Sequence, residues 1–175
     1  VLAIPAGAVE AAIDDALAAG TRVFVAITAG FGEQGAAGQA QEARIVQKVR
    51  DAGARLLGPN CMGVSDASAE LFIASGDDET GPVALVSQSG NLGIEIGMML
   101  QREGLGFSRV VSLGNQADIG AEEVLDSLIA HPETRAILLY LEGIRDGRRL
   151  VDSAQRAWQA GKPVLLIAAG VSQVA

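Results

Sequence analysis

The stretch "PVALVSQSGNLGIEIGMMLQ", residues 82–101, decides how the chain is read. An apolar run, Val83–Val86, stops abruptly at Ser87-Gln88-Ser89-Gly90, and a helical pattern begins. This predicts a buried strand that turns directly into a helix N-terminus. The first-turn amides of such a helix have no intrahelical acceptors, and its dipole favours negative charge there. Gly90 lets the backbone approach an anion, and the hydroxyls of Ser87 and Ser89 can add hydrogen bonds. The plainer reading is that Ser89 or Asn91 simply caps the helix.

Outward from this junction, strand and helix patterns alternate. Before it come strand Val1–Ile4, helix Gly7–Ala19, strand Arg22–Thr28, helix Gln39–Asp51 and strand Ala54–Leu57. After it come helix Asn91–Glu103, strand Ser108–Ser112, helix Ala121–Ala130, strand Ala136–Leu141, helix Arg148–Ala160 and strand Pro163–Ala168. Apolar strands separated by helical stretches imply parallel sheets with right-handed crossovers. The polar, turn-rich "SGDDETGP" reads as a boundary. The expected organisation is therefore α/β with two parallel-sheet units, residues 1–64 and 82–175, joined by a linker at 65–81. Val1 enters directly on a strand pattern, and residues 162–175 close on another, so a fragment of a longer protein is expected.

Composition narrows the function classes. The chain has 175 residues, 49% hydrophobic but only 3% aromatic, so Ala, Val, Leu and Ile must build the core. Its net charge of −8 argues against a nucleic-acid surface. The single cysteine excludes an internal disulfide framework. No secretory signal or membrane-length apolar run is present, which favours a cytoplasmic location and no membrane partner. One histidine and one cysteine do not make a zinc site, and there is no Walker loop.

Ligands of open parallel sheets bind beyond the carboxyl ends of the strands. The residues there include Thr28-Ala29-Gly30-Phe31, Asn60-Cys61, Ser87–Gly90, Asn115, Asp118 and Glu142, a polar, glycine-rich set on one edge. Asn60 and Cys61 can meet a phosphate or acyl group, although a lone Cys61 without a nearby His reads better as a buried thiol. Glu142 follows a fully apolar strand, and its plain reading is a local pair with Arg145 or Arg148. His131 lies at the opposite end of the sheet and reads as a helix-terminal residue.

Four segments, "GPNCMGV", "ALVSQSGNLG", "VSLGNQADI" and "ILLYLEGIRDGRR", occur together in this order. With them the chain resembles the α-type part of ADP-forming acyl-CoA synthetases, relatives of the succinyl-CoA ligase α subunit. The resemblance implies the C-terminal half of a Rossmann-like CoA-binding domain followed by a flavodoxin-like ligase domain. It implies a reaction in which a carboxylic acid, CoA and ATP give acyl-CoA through an acyl phosphate and a phosphohistidine. On this resemblance, Ser87, Ser89, Gly90 and Asn91 hold phosphate, and Glu142 supports the phosphohistidine. Thr28, Ala29, Gly30, Phe31, Asn60 and Cys61 border coenzyme A, and Asn115 and Asp118 face the acyl group or phosphate. The implied partner is an ATP-grasp domain or subunit, fused or separate, which would bring ATP/ADP and Mg; an oligomer is also possible.

Two departures accompany the resemblance. The family's histidine is expected just beyond residue 175, in a Ser-His-Thr-Gly type segment, and His131 does not match it. Where the family has a Lys-x-Gly-Arg strand end, this chain has Ala168, Gly170 and Val171. The alternative is therefore a non-catalytic CoA-binding or regulatory subunit of the same fold. A flavodoxin-like binder of another phosphorylated ligand is a third, disfavoured by the lack of aromatics near the loops.

Overall fold

Val23–Val25 (β1) and Arg55–Leu57 (β2) pair in parallel, Phe24 opposite Leu56, as expected for two short apolar strands joined through a helix. The computed structural model describes residues 1–73 and 80–170. Two helices cover this small sheet. Ala6–Ala18 (α1) buries Val9 and Ile13, and Ala36–Asp51 (α2) buries Ile45, Val46 and Val49. Together with Phe24, Phe31 and Leu56 these side chains form one core.

The expected strand Val1–Ile4 is reduced to a single bridge, Leu2 to Ala26. The reason lies in Thr28, whose hydroxyl takes the Ile4 N–H at 3.3 Å and donates towards the carbonyl of Ile4 at 2.8 Å. The chain end is tied by a side chain, and Pro5, as N-cap of α1, turns it away from the sheet.

The second unit is a six-stranded sheet in the order β4-β3-β6-β5-β7-β8. Thr80–Ser87 (β5), Phe107–Ser112 (β6), Ala136–Leu141 (β7) and Val164–Ala168 (β8) are parallel. Gly90–Arg102 (α3) packs on one face through Ile96 and Leu100. Ala121–Ile129 (α4) and Gly147–Gln159 (α5) cover the other through Leu125, Leu128, Leu150 and Ala157.

The stretch expected to be an irregular linker contributes two strands over its described residues. Val64–Asp66 (β3) runs antiparallel to β6, and Leu71–Phe72 (β4) pairs antiparallel with β3. Strands of three and two residues carry no readable alternation, so the pattern gave no warning of this antiparallel edge. Asp66 anchors it by accepting hydrogen bonds from Ser68 and Arg109.

Helix ends follow a shared local rule. Gly20, Gly53, Gly104 and Gly161 each stand just past a helix with φ between 68 and 90°. The amide of the next residue returns to the last turn, as from Thr21 to Ala16 at 2.9 Å. The two units also share apolar packing: Val25, Leu57 and Cys61 join Val111, Leu113 and Val124 in one continuous core. No helix among the described residues is long and apolar enough to cross a membrane.

Candidate functional site

The β5–α3 junction has the expected form. Ser89 is the N-cap of α3, its Oγ accepting the Leu92 amide at 3.4 Å. This leaves the amides of Gly90 and Asn91, the first two helical positions, without intrahelical acceptors. Asn91 is exposed, and Ser89 and Gly90 are partly so. Ser87 behaves otherwise than expected. It is buried, donates to the Ser89 carbonyl at 2.7 Å and accepts the Ser89 amide at 3.1 Å, so its hydroxyl closes the turn. Beneath Gly90 lies Met62, whose Sδ would be 2.2 Å from a Cβ placed there. Glycine at 90 thus serves close packing between the units.

Glu142 is exposed at the end of β7. Its carboxylate forms no ion pair among the described residues, and Arg145 reaches elsewhere: its Nη1 donates to the carbonyl of Gln116 at 2.6 Å. What is held is the Glu142 backbone. Gln88 Oε1 accepts the amides of Glu142 and, at 2.9 Å, of Gly143. Gln116 Nε2 donates to the Gly143 carbonyl at 2.9 Å, while its Oε1 accepts the Ala121 amide at 3.2 Å. The residue between the two cradle serines therefore joins the start of α3 to the Glu142 loop.

At the first unit's edge, the residues expected to border coenzyme A divide by what they expose. Ala29 is exposed and Gly30 partly so. Thr28 is buried with its hydroxyl on Ile4, and Phe31 is fully buried in the core. Neither of these two side chains is presented at the surface; the loop offers backbone. The amides of Gly30 and Phe31 both point at Glu33 Oε1, and that of Gly32 at Glu42 Oε2 (3.1 Å). Burial raises the Glu33 carboxyl, but hydrogen bonds from Asn115 and these amides override it and hold it below the ordinary carboxylate range. Cys61 is buried, its thiol 3.3 Å from the Ala26 carbonyl, and burial pushes that thiol up. A reactive thiolate is not built here.

Asn115 sits where the two units meet. Its Nδ2 donates to Glu33 at 2.7 Å and Glu42 at 2.8 Å, and its Oδ1 accepts from Asn60 at 3.2 Å. Close approach of the backbones requires Gly114, with φ 54°, because a Cβ there would lie 2.2 Å from the Pro59 carbonyl. Asp118, expected to face substrate, instead turns into the seam. Its Oδ1 meets Arg50 Nε at 2.7 Å, and its Oδ2 meets Arg55 Nε at 3.0 Å and the Leu56 amide at 2.8 Å. Both oxygens are thereby occupied. His131 lies away from this edge, buried between Ser68 (3.0 Å) and Thr134 (2.8 Å). Ala168 ends β8, Gly170 packs against the Glu142 carbonyl, and Val171 lies outside the described residues.

Gln88 and Gln116 lie in the strand-end stretches but carried no expected role, Arg145 was expected only as a partner of Glu142, and Glu33 was not singled out. Gln88 lay inside the quoted motif, but a side chain that acts by accepting distant backbone amides leaves no periodic trace. Among the described residues no cluster of three His, Cys, Asp or Glu could hold a metal ion.

The chain is similar to known proteins along nearly its whole length. Residues 80–175 match the model of the succinyl-CoA ligase like flavodoxin domain, and residues 1–67 that of a CoA binding domain. The chain is 39% identical over 175 residues to the acetate–CoA ligase [ADP-forming] I subunit alpha of Pyrococcus furiosus, covering 99% of this chain and 38% of that protein. It is 34% identical to the succinate–CoA ligase [ADP-forming] subunit alpha 2 of Archaeoglobus fulgidus, covering 98% of this chain and 58% of that one. Among solved structures, the dinucleotide forming acetyl-coenzyme A synthetase 1 of Ca. Korarchaeum cryptofilum, in complex with phosphate and ADP, superposes with a TM-score of 0.91 at 38% identity. That match covers 99% of this chain and 38% of the other. The chain thus spans well under half of the first of these relatives and of this structure.

Proposed function

This chain belongs to the succinyl-CoA ligase like family, and on that premise we propose that it is the CoA- and phosphate-handling part of an ADP-forming acid–CoA ligase. The observation that carries the reading is the tie through Gln88, which joins an anion-accepting helix N-terminus to a carboxylate-bearing loop. The phosphate and ADP of the Korarchaeum enzyme support it by analogy.

In the proposed reaction, acyl-CoA and phosphate give acyl phosphate and CoA. The phosphoryl group then passes to a histidine supplied from outside residues 1–175, releasing the carboxylate, and from the histidine to ADP, which gives ATP; every step is reversible. The amides of Gly90 and Asn91 donate hydrogen bonds to the phosphoryl oxygens as charge develops, helped by the α3 dipole. The Glu142 carboxylate accepts an N–H from the histidine's imidazole and so keeps its other nitrogen aimed at phosphorus. Coenzyme A supplies the thiol. The amides of Gly30, Phe31 and Gly32 are taken by the Glu33 and Glu42 carboxylates, so they do not offer the oxyanions of coenzyme A a free site. Ala29 and Gly30 would bring backbone to it, with Asn60 at the neighbouring turn. An ATP-grasp domain or subunit would bring nucleotide and Mg, and a carboxylic acid would be the acyl donor. Within this reading residues 1–64 and 82–175 are the two working units, and β3 and β4 serve as the second unit's edge.

The full-length protein with its nucleotide-binding part, incubated with labelled ATP, is expected to yield acid-labile phosphoprotein. No label would overturn the ligase reading. It would favour the second reading, a non-catalytic CoA-binding subunit, which Ala168 in place of the family's lysine supports.

A further inference from the structure

We propose that Gln88 and Gln116 are positioning residues that clamp the backbone on both sides of Gly143 and thereby set the direction of the Glu142 carboxylate. The inference rests on the proposed role of Glu142 and adds the residues through which that role is exercised.

Each glutamine approaches from a different strand end. Gln88 follows β5, and its own amide donates to the Tyr140 carbonyl at 3.0 Å, which locks its backbone to β7. Its Oε1 then accepts two consecutive amides, those of Glu142 and Gly143. Two donors on one atom fix the orientation of the side-chain amide, since the NH2 group could accept neither. Gln116 follows β6 and takes the other side of the same residue, the following peptide group, donating Nε2 to the Gly143 carbonyl at 2.9 Å. Its Oε1 accepts the Ala121 amide, so its orientation is fixed as well. Gln116 adopts φ 43°, a left-handed conformation unusual for a side-chain-bearing residue. The Arg145 bond to the Gln116 carbonyl helps to hold it there.

Gly143 is therefore held at the N–H of one peptide group and the C=O of the next, by side chains that follow two neighbouring strands. Gly143 itself has nothing within 4 Å of an added Cβ, so side-chain packing does not fix this residue and its hydrogen bonds do, while Gly170 closes on the neighbouring Glu142 carbonyl. Glu142 itself carries no ion pair among the described residues, and its backbone is the handle by which the fold directs it. Gln88 also lies between Ser87 and Ser89, so one residue sets the spacing between the phosphate cradle and Glu142.

The test uses Gln88→Leu and Gln116→Leu in the full-length protein with its nucleotide-binding part, read by two measurements. Hydrogen exchange is expected to quicken at the amides of Glu142 and Gly143 in Gln88→Leu, with β7 and α5 unchanged. The rate of acid-labile phosphoprotein formation from labelled ATP is expected to fall about 10- to 100-fold. KM for CoA should stay within about twofold, because no CoA-bordering residue is altered. If Gln88→Leu does not fold, Gln116→Leu applies the same test from the opposite side of Gly143. Unchanged exchange at residues 142–143, or wild-type phosphorylation despite faster exchange, overturns the proposal. An unlabelled wild-type protein overturns the ligase reading and this role with it; a labelled wild type with a labelled Gln88→Leu removes only this role.

Discussion

Asp118 reaches across from the loop after β6 to Arg55 at the start of β2, its Oδ2 3.0 Å from Nε. A carboxylate with no side-chain exposure in one unit is thus matched by a guanidinium of the other, and Arg55 in turn meets Glu123 at 2.7 Å. Burial alone would raise the Asp118 carboxyl, but the hydrogen bonds from Arg55, the Leu56 amide and Arg50 hold it below its ordinary value. Replacing Asp118 by Ala should cost about 2–3 kcal/mol of stability, because two cations and a buried amide lose their acceptor. Urea unfolding measures it. A cost near zero would show that the seam is not held by this residue.

Acid should weaken the protein through the same kind of group. The Asp66 carboxyl, despite burial, is held at about 2 by Ser68 and Arg109, below an unfolded value near ~3.9. A depressed carboxyl contributes stability that is present above the unfolded value and lost as pH falls through the folded one. The midpoint of thermal unfolding should therefore be level above about pH 5 and drop between roughly pH 4 and 2. Asp66→Asn should flatten that drop; an unaltered acid limb would exclude Asp66 as its source.

Cys61 offers a simple probe of its environment. Its thiol is buried and pushed up by that burial, so a thiol-specific alkylating reagent should label it only after denaturation. Cys61→Ala should retain ligase activity in the full-length protein. Rapid labelling of the folded protein would contradict both expectations.

The α3 N-terminus is tested at Ser89. Ser89→Asp keeps an acceptor for the Leu92 amide and so preserves the cap, but places a negative charge beside the Gly90 and Asn91 amides. Helix stability should be unchanged while phosphate affinity, followed by titration calorimetry, falls about tenfold, corresponding to about 1.4 kcal/mol. Ser89→Ala should do the reverse, costing about 1 kcal/mol of stability with a smaller effect on phosphate. Equal phosphate affinity in the aspartate variant would place the anion elsewhere.

Gly114 lies where the backbones of the two units come close. Its φ of 54° and the 2.2 Å from an added Cβ to the Pro59 carbonyl leave no room for a side chain. Gly114→Ala should destabilise by more than about 1 kcal/mol and weaken the Asn115 contacts to Glu33 and Glu42. Loss of CoA affinity without loss of stability would instead assign Gly114 to ligand contact.

Local patterns in the sequence were enough to place the α-helices of the described residues and most parallel strands to within a few residues, though the strand expected at Val1–Ile4 is only a bridge. Apolar periodicity and glycine or serine at the element ends are properties of neighbouring residues. The Ser89 cap and the exposed Glu142 were legible for the same reason. The β3–β4 edge, the Thr28 hydroxyl on Ile4, the inward turn of Asp118 and the two glutamines on Gly143 were not. Each joins residues from distant segments through one or a few hydrogen bonds, and the energy of such a bond depends on where the chain brings its partner. Only the packed arrangement of both units decides that.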